Sequence, residues 1–145
     1  MNAYLSIEIY LIMTIEELNS YCRNSFVEHL GIIFTEYDDE SISGTIELGE
    51  THLQPAGVVH GGVYIALAET LAGAGSSLLL EENKIALGTT VNSQHIASAS
   101  KGNIIGIATI IHAGTFKHIW DVKITDDIGK LISISRVTNS IKELK

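Results

Sequence analysis

The stretch Val59-His60-Gly61-Gly62-Val63-Tyr64-Ile65-Ala66-Leu67-Ala68-Glu69-Thr70-Leu71-Ala72-Gly73-Ala74-Gly75-Ser76-Ser77-Leu78-Leu79-Leu80 decides the fold. From Val63 to Leu80 it carries one charge, Glu69, and many small side chains. A membrane span needs roughly 20 apolar residues, and a carboxylate at its centre is costly. No second stretch of this kind accompanies it, so the spacing predicts a helix over 61–80 buried inside a globular protein. Glu81, Glu82 and Asn83 end it, with Asn83 suited to a left-handed exit.

Downstream, four segments read as strands: Ile85 to His95, Asn103 to His112, Lys117 to Thr125 and Lys130 to Ser140. Turn signals separate them at Ser100-Lys101-Gly102, Ala113-Gly114-Thr115 and Asp126-Asp127-Ile128-Gly129. Upstream, Gly49 to Val59 is polar, holds the one proline, Pro55, and reads as a loop. Ile32 to Glu36 and Ile42 to Leu48 read as a hairpin joined by the acidic run Tyr37-Asp38-Asp39-Glu40. Thr14-Ile15-Glu16-Glu17 is a capping box. It opens a helix over 14–30 that Gly31 stops. One apolar helix followed by consecutive antiparallel strands predicts an α+β fold, the sheet wrapped on the helix.

At 145 residues, 46% hydrophobic and 18% charged, the chain reads as a single domain over 1–145 that is neither disordered nor in need of staples. One cysteine, Cys22, excludes an internal disulfide framework and a multi-cysteine zinc site; a reducing, cytoplasmic home is the simplest expectation. Met1 to Met13 lacks a positive start and contains Glu8, so no targeting segment is expected, nor is a membrane partner. The net charge of −8 argues against a nucleic-acid partner. It is unevenly spread: residues 1–82 hold thirteen acids and one base, residues 83–145 four acids and eight bases. The second half presents either basic groups to an anionic ligand or an ordinary solvated surface.

Gly61 and Gly62 at a helix start let another backbone or a ligand approach closely. The free first-turn amides and the macrodipole favour an anion there, or a carbonyl oxygen that becomes one during acyl transfer. Gln54 and His60 flank this turn and offer hydrogen bonds beside it; the plain alternative is a tight helix start with a satisfied histidine. Glu69 is the second clue. It lies mid-helix with no polar stripe around it, and is either a base or nucleophile or a residue on the one wet face. Gly61 and Glu69 are separated by about 12 Å along a helix axis. If both act on one substrate they must come from two copies, their helices meeting about a two-fold axis.

These residues resemble the hotdog-fold acyl-CoA thioesterases, in particular the His-Gly-Gly/Glu type that includes 4-hydroxybenzoyl-CoA and 1,4-dihydroxy-2-naphthoyl-CoA thioesterases. The resemblance covers roughly residues 30–141. It rests on Gln54, His60-Gly61-Gly62, Leu67-Ala68-Glu69, Val91-Asn92-Ser93-Gln94-His95, His112-Ala113-Gly114, Ile119-Trp120-Asp121-Val122 and Ser135-Arg136-Val137-Thr138. It implies a sheet curled round the long helix, a dimer with a continuous sheet or a tetramer, and no cofactor. By that resemblance the Gly61 N–H polarises the thioester carbonyl, Gln54 bonds or positions it, and His60 supports the turn. Glu69 of the other subunit acts as nucleophile or general base. Gly62, Tyr64, Thr70, Gly73 and His95 then line the substrate site. Two positions depart from the family pattern: Gly73 stands where many relatives have Ser or Thr, and Ala97 where the nearest ones have an arginine for CoA phosphates. Lys101, Lys117 and Arg136 are the alternative phosphate contacts.

No nucleophile elbow, Walker pattern or metalloprotease motif occurs, and the histidine spacings predict no metal. The expected function is hydrolysis of an acyl-CoA, aromatic acyl groups favoured, with an acyl-carrier-protein thioester as the lesser choice. The alternatives are a non-catalytic acyl-thioester-binding protein or a hydratase/dehydratase on the same fold.

Overall fold

The computed structural model describes residues 13–145; the expectation about a targeting segment falls largely on 1–12, outside the described residues. Six strands form one antiparallel sheet: β1 (Ile32–Tyr37), β2 (Ser41–Glu47), β3 (Lys84–His95), β4 (Asn103–Ala113), β5 (Lys117–Asp126) and β6 (Leu131–Glu143). Their spatial order is β1-β2-β4-β5-β6-β3. Among the described residues three α-helices precede or interrupt them: α1 (Ile15–Tyr21), α2 (Phe26–His29) and the long α3 (Gly61–Leu78). The sheet curls round α3, which packs against every strand. This is the hotdog arrangement, an α+β fold. No helix of the described residues is long and apolar enough to cross a membrane.

The helix sits deep because both partners are trimmed. Leu67, Ala68, Leu71 and Ala72 are fully buried, each leucine contributing about 1.5–3 kcal/mol by leaving water. Gly44 of β2 and Gly106 of β4 face each other in register and leave a notch in the sheet. A Cβ at Gly106 would lie 2.6 Å from Leu71 Cδ1, and one at Gly44 2.9 Å from Leu71 Cδ2. On the helix, Gly75 likewise admits the ring of Trp120, whose Cη2 lies 2.6 Å from where its Cβ would stand.

A polar hub is buried beside that ring. The Ser76 hydroxyl oxygen accepts from Trp120 Nε1 at 2.8 Å and from Asn139 Nδ2 at 2.9 Å. Its own hydrogen is therefore left for His118 Nδ1, 3.0 Å away, and this network assigns the His118 proton to Nε2. Burial, and secondly the nearby His112, hold the His118 imidazole below its ordinary pKa of 6.5. The unfolded chain then takes up a proton that the folded chain refuses, so stability is whole above pH 6.5 and declines as pH falls below it. The melting temperature should drop between pH 7 and pH 5. His118→Gln, which keeps an acceptor for Ser76, should flatten that limb; an equally steep limb in the variant would clear His118 of the effect.

Two helices differ from expectation. The helix over 14–30 is broken into α1 and α2, with Asn24 at φ 58° between them. The capping box at Thr14 is present. The break follows from local side-chain bonds that compete with the helix: Glu28 Oε2 accepts the Asn24 N–H at 2.7 Å, and the Ser25 hydroxyl donates to the Cys22 carbonyl. Gly31, at φ 72°, stops α2 as expected. The helix over 61–80 ends instead at Leu78. Leu79 and Leu80 fold their N–H groups back on the Ser76 and Ser77 carbonyls. The exit is right-handed at Leu79 (φ −90°), and Asn83 is not left-handed. Within the expected 49–59 loop, Glu50–His52 forms a 3-10 turn and Leu53 bridges to Val59.

Candidate active site

The start of α3 is held from three sides. His52, buried in the preceding turn, accepts the Gly49 N–H on Nδ1 (2.9 Å), so its Nε2 donates to the Leu30 carbonyl (2.8 Å). Its own carbonyl accepts the His60 N–H at 2.9 Å, and Ala99 O accepts the Val59 N–H at 2.9 Å. Gln54 closes the loop by its main chain, donating to Val58 O and accepting from Gly57 N. The half-buried Gln54 side chain takes no part in that closure.

His60 is the N-cap. Its Nδ1 accepts the Gly62 N–H at 2.9 Å, and its carbonyl accepts the Val63 N–H at 2.9 Å. Of the first-turn amides that a helix leaves without intrahelical partners, those two are taken. The Gly61 N–H finds no acceptor among the described residues. His95 covers Gly61: its Nε2 lies 2.8 Å from where a Gly61 Cβ would stand. The ring is fixed by Ser133 Oγ at 2.9 Å from Nδ1 and by Tyr64, whose ring centroid lies 5.2 Å away at 52°. Tyr64 is buried, and its hydroxyl has no hydrogen-bond partner among the described residues. Burial pushes its pKa up, with the Ala99 backbone a smaller opposing influence.

Glu69 is exposed, as are Gly62 and Ser77; Ile65, Ala66, Thr70 and Gly73 on the same side of α3 are half-buried. The sheet thus leaves one face of the helix uncovered, and Glu69 stands on it. Both readings of Glu69 left open by the sequence are compatible with this exposure. One Glu69 carboxylate oxygen packs over Gly88 of β3, inside the space a Cβ there would fill. Gly73, one turn on, would present a Cβ to nothing within 4 Å.

The three basic candidates do not converge. Lys101 is exposed in the turn after Ala99, at the Gly61 end of the molecule. Lys117 begins β5 at the opposite end; the ten residues of that strand span about 30 Å. Arg136 projects from the outer face of the sheet. There it makes a two-pronged ion pair with Asp121, Nε to Oδ1 at 2.7 Å and Nη2 to Oδ2 at 2.8 Å. Among the described residues no three His, Cys, Asp or Glu side chains are grouped to hold a metal ion.

A helix start with one open amide, set in an antiparallel sheet and followed by a carboxylate two turns on, defines the class of hotdog proteins that act on acyl thioesters. The thioesterase superfamily model matches residues 56–133, and the chain belongs to that superfamily; it is a thioester hydrolase. It is 33% identical over 129 residues to a proofreading thioesterase, EntH, of Cronobacter sakazakii, covering 89% of this chain and 94% of the relative. A crystal structure of a thioesterase from Haemophilus influenzae is 38% identical, with a TM-score of 0.89 over 92% of this chain and 93% of that one. A thioesterase of Pseudomonas aeruginosa, solved as a glutamine-to-alanine mutant, is 32% identical, with a TM-score of 0.88 over 91% and 96%.

His52, Ser133, Gly88 and Asn139 support this site and were not singled out from the sequence. Each acts through a partner 19 or more residues away in the chain, a distance at which no local pattern forms.

Proposed function

We propose that the protein hydrolyses acyl-CoA thioesters, with a preference for aromatic acyl groups, as a homodimer or a tetramer built from dimers. The thioester carbonyl accepts the Gly61 N–H of one copy, Gln54 and His60 lie beside it, and Glu69 of the second copy attacks the carbonyl or deprotonates a water that does. The observation that carries this reading is the Gly61 amide: His60 takes its two neighbours, and the one left over points out of the helix. The two-copy site is supported by the unpaired edge of β3, a twelve-residue strand with Ile85 and Leu87 exposed. Such an edge is a template for another strand, and antiparallel pairing of two β3 edges brings the uncovered faces of two α3 helices together. Of the three basic residues, Lys101 is the favoured phosphate contact, because it shares the Gly61 end and Arg136 is engaged by Asp121.

Thiol release from a panel of aryl- and alkyl-CoA thioesters tests the proposal. Release is expected across the panel, with kcat/KM highest for the aryl members. Binding without release would reassign the protein as a thioester-binding module. Faster turnover of straight-chain acyl groups would remove the aromatic preference alone.

A further inference from the structure

Gly88 is exposed on the edge strand β3 and pairs in register with the fully buried Asn139 of β6. Its φ is not positive, so the backbone there would accept a side chain. What asks for a glycine is space. The atoms nearest to where a Gly88 Cβ would stand are Oε1 and Cδ of Glu69, the second at 3.4 Å, and then Asn139 Oδ1 at 3.6 Å. The last two are at ordinary van der Waals separation, and Oε1 alone lies inside the volume a methyl group would take. Glu69 stands exposed on the uncovered face of α3, where a glutamate is free to extend into water. Its carboxylate instead lies down across the bare Cα of the neighbouring strand.

Two features hold this seat in place. The Asn139 amide nitrogen donates to Ala72 O at 3.0 Å and to Ser76 Oγ at 2.9 Å, which ties α3, within two turns of Glu69, to the residue opposite Gly88. Beside it β3 is bulged: the ladder passes from the Gly88–Asn139 pair to the Thr90–Thr138 pair, leaving Thr89 as the extra residue. The Thr89 hydroxyl donates to Thr138 O at 3.2 Å and fastens the bulge to β6. A bulge turns a strand locally and re-aims what stands beside it.

We infer that Gly88 is a positioning residue for the hydrolysis, its missing side chain forming the seat that lays the Glu69 carboxylate along the edge of β3. This rests on the acyl-CoA hydrolysis proposed above. In the proposed dimer that edge joins the second copy, so a carboxylate lying on it is turned toward the Gly61 amide of that copy. A glutamate left free samples several rotamers, of which a fraction can reach a reacting carbon. A seat narrows that spread before substrate arrives. An alanine at position 88 leaves the backbone and Asn139 where they are and pushes the carboxylate alone aside, by about 1 Å.

Gly88→Ala, made in the full-length protein and assayed with a reactive aryl-CoA, tests the inference. Its kcat is expected to fall about 10²-fold, the scale of a misplacement of about 1 Å, with KM, melting temperature and oligomeric mass unchanged. Added to Glu69→Gln, the same substitution is expected to cost nothing further, because residues acting as a unit are not additive. A parent-like kcat in Gly88→Ala overturns the inference. So does a loss that repeats in full on the Glu69→Gln background, since Gly88 would then act through another group. If Gly88→Ala melts lower or dissociates, the comparison on the Glu69→Gln background decides alone. Thiol release by Glu69→Gln at the parent rate overturns the inference and leaves hydrolysis standing. Absence of thiol release by the parent protein overturns both.

Discussion

Glu69→Gln is expected to lower kcat by about 10²–10⁴-fold, the range for loss of a general base, with the melting temperature unchanged. The two halves of that expectation have separate grounds. The amide keeps the size of the carboxylate but neither takes a proton nor attacks a carbonyl carbon at neutral pH, so turnover fails whichever of the two roles Glu69 fills. Stability is spared because Glu69 is exposed on the uncovered face of α3 and bonds no described residue that depends on it for packing. Steady-state thiol release and a melting curve on the same preparation are sufficient. A variant that turned over at the parent rate would take the base away from Glu69 and the proposed mechanism with it.

Gly61→Val should cost about 10²–10³-fold, the scale measured for removing one oxyanion donor. Its side chain has nowhere to go: the first carbon already meets His95 Nε2 at 2.8 Å. Either the helix start or the histidine yields, and the open amide is carried off its line. The more telling experiment mixes the two inactive proteins. In the proposed dimer, pairing Glu69→Gln with Gly61→Val would give one site both defects and the other neither. Equal amounts refolded together should regain about a quarter of parent activity, since half the dimers are mixed and half their sites intact. A mixture as inactive as its components would place both groups in one copy's own site, against the 12 Å helical separation.

Much of this was legible in the linear chain. The capping box at Thr14, the turn glycines and the alternating isoleucines marked most elements to within a few residues, because caps, turns and two-residue periods are written locally. The His60-Gly61-Gly62 start and its spacing to Glu69 were likewise local. What escaped detection was set by register. Gly88 and Asn139 meet only because β3 lies beside β6 in one alignment, and Ser76 meets His118 and Trp120 only because α3 crosses β5 at that height. The break at Asn24 escaped for another reason: a left-handed asparagine and a helical one are spelled alike, and the bond from its N–H to Glu28 chooses between them. Likewise, a helix rich in alanine and glycine does not reveal which face the sheet will cover.

The paired Gly44 and Gly106 have a consequence that reaches the chemistry. They seat Leu71 as a key in a slot, so the helix cannot creep lengthwise by one residue, about 1.5 Å, without lifting that leucine onto backbone. In the proposed dimer a second copy aligned through β3 would meet the helix at a height set by this seat. Filling the slot with a methyl group would therefore do more than crowd the interior: it would slide the acid of one copy past the amide of the other, detuning a reaction whose participants never touch the altered residue.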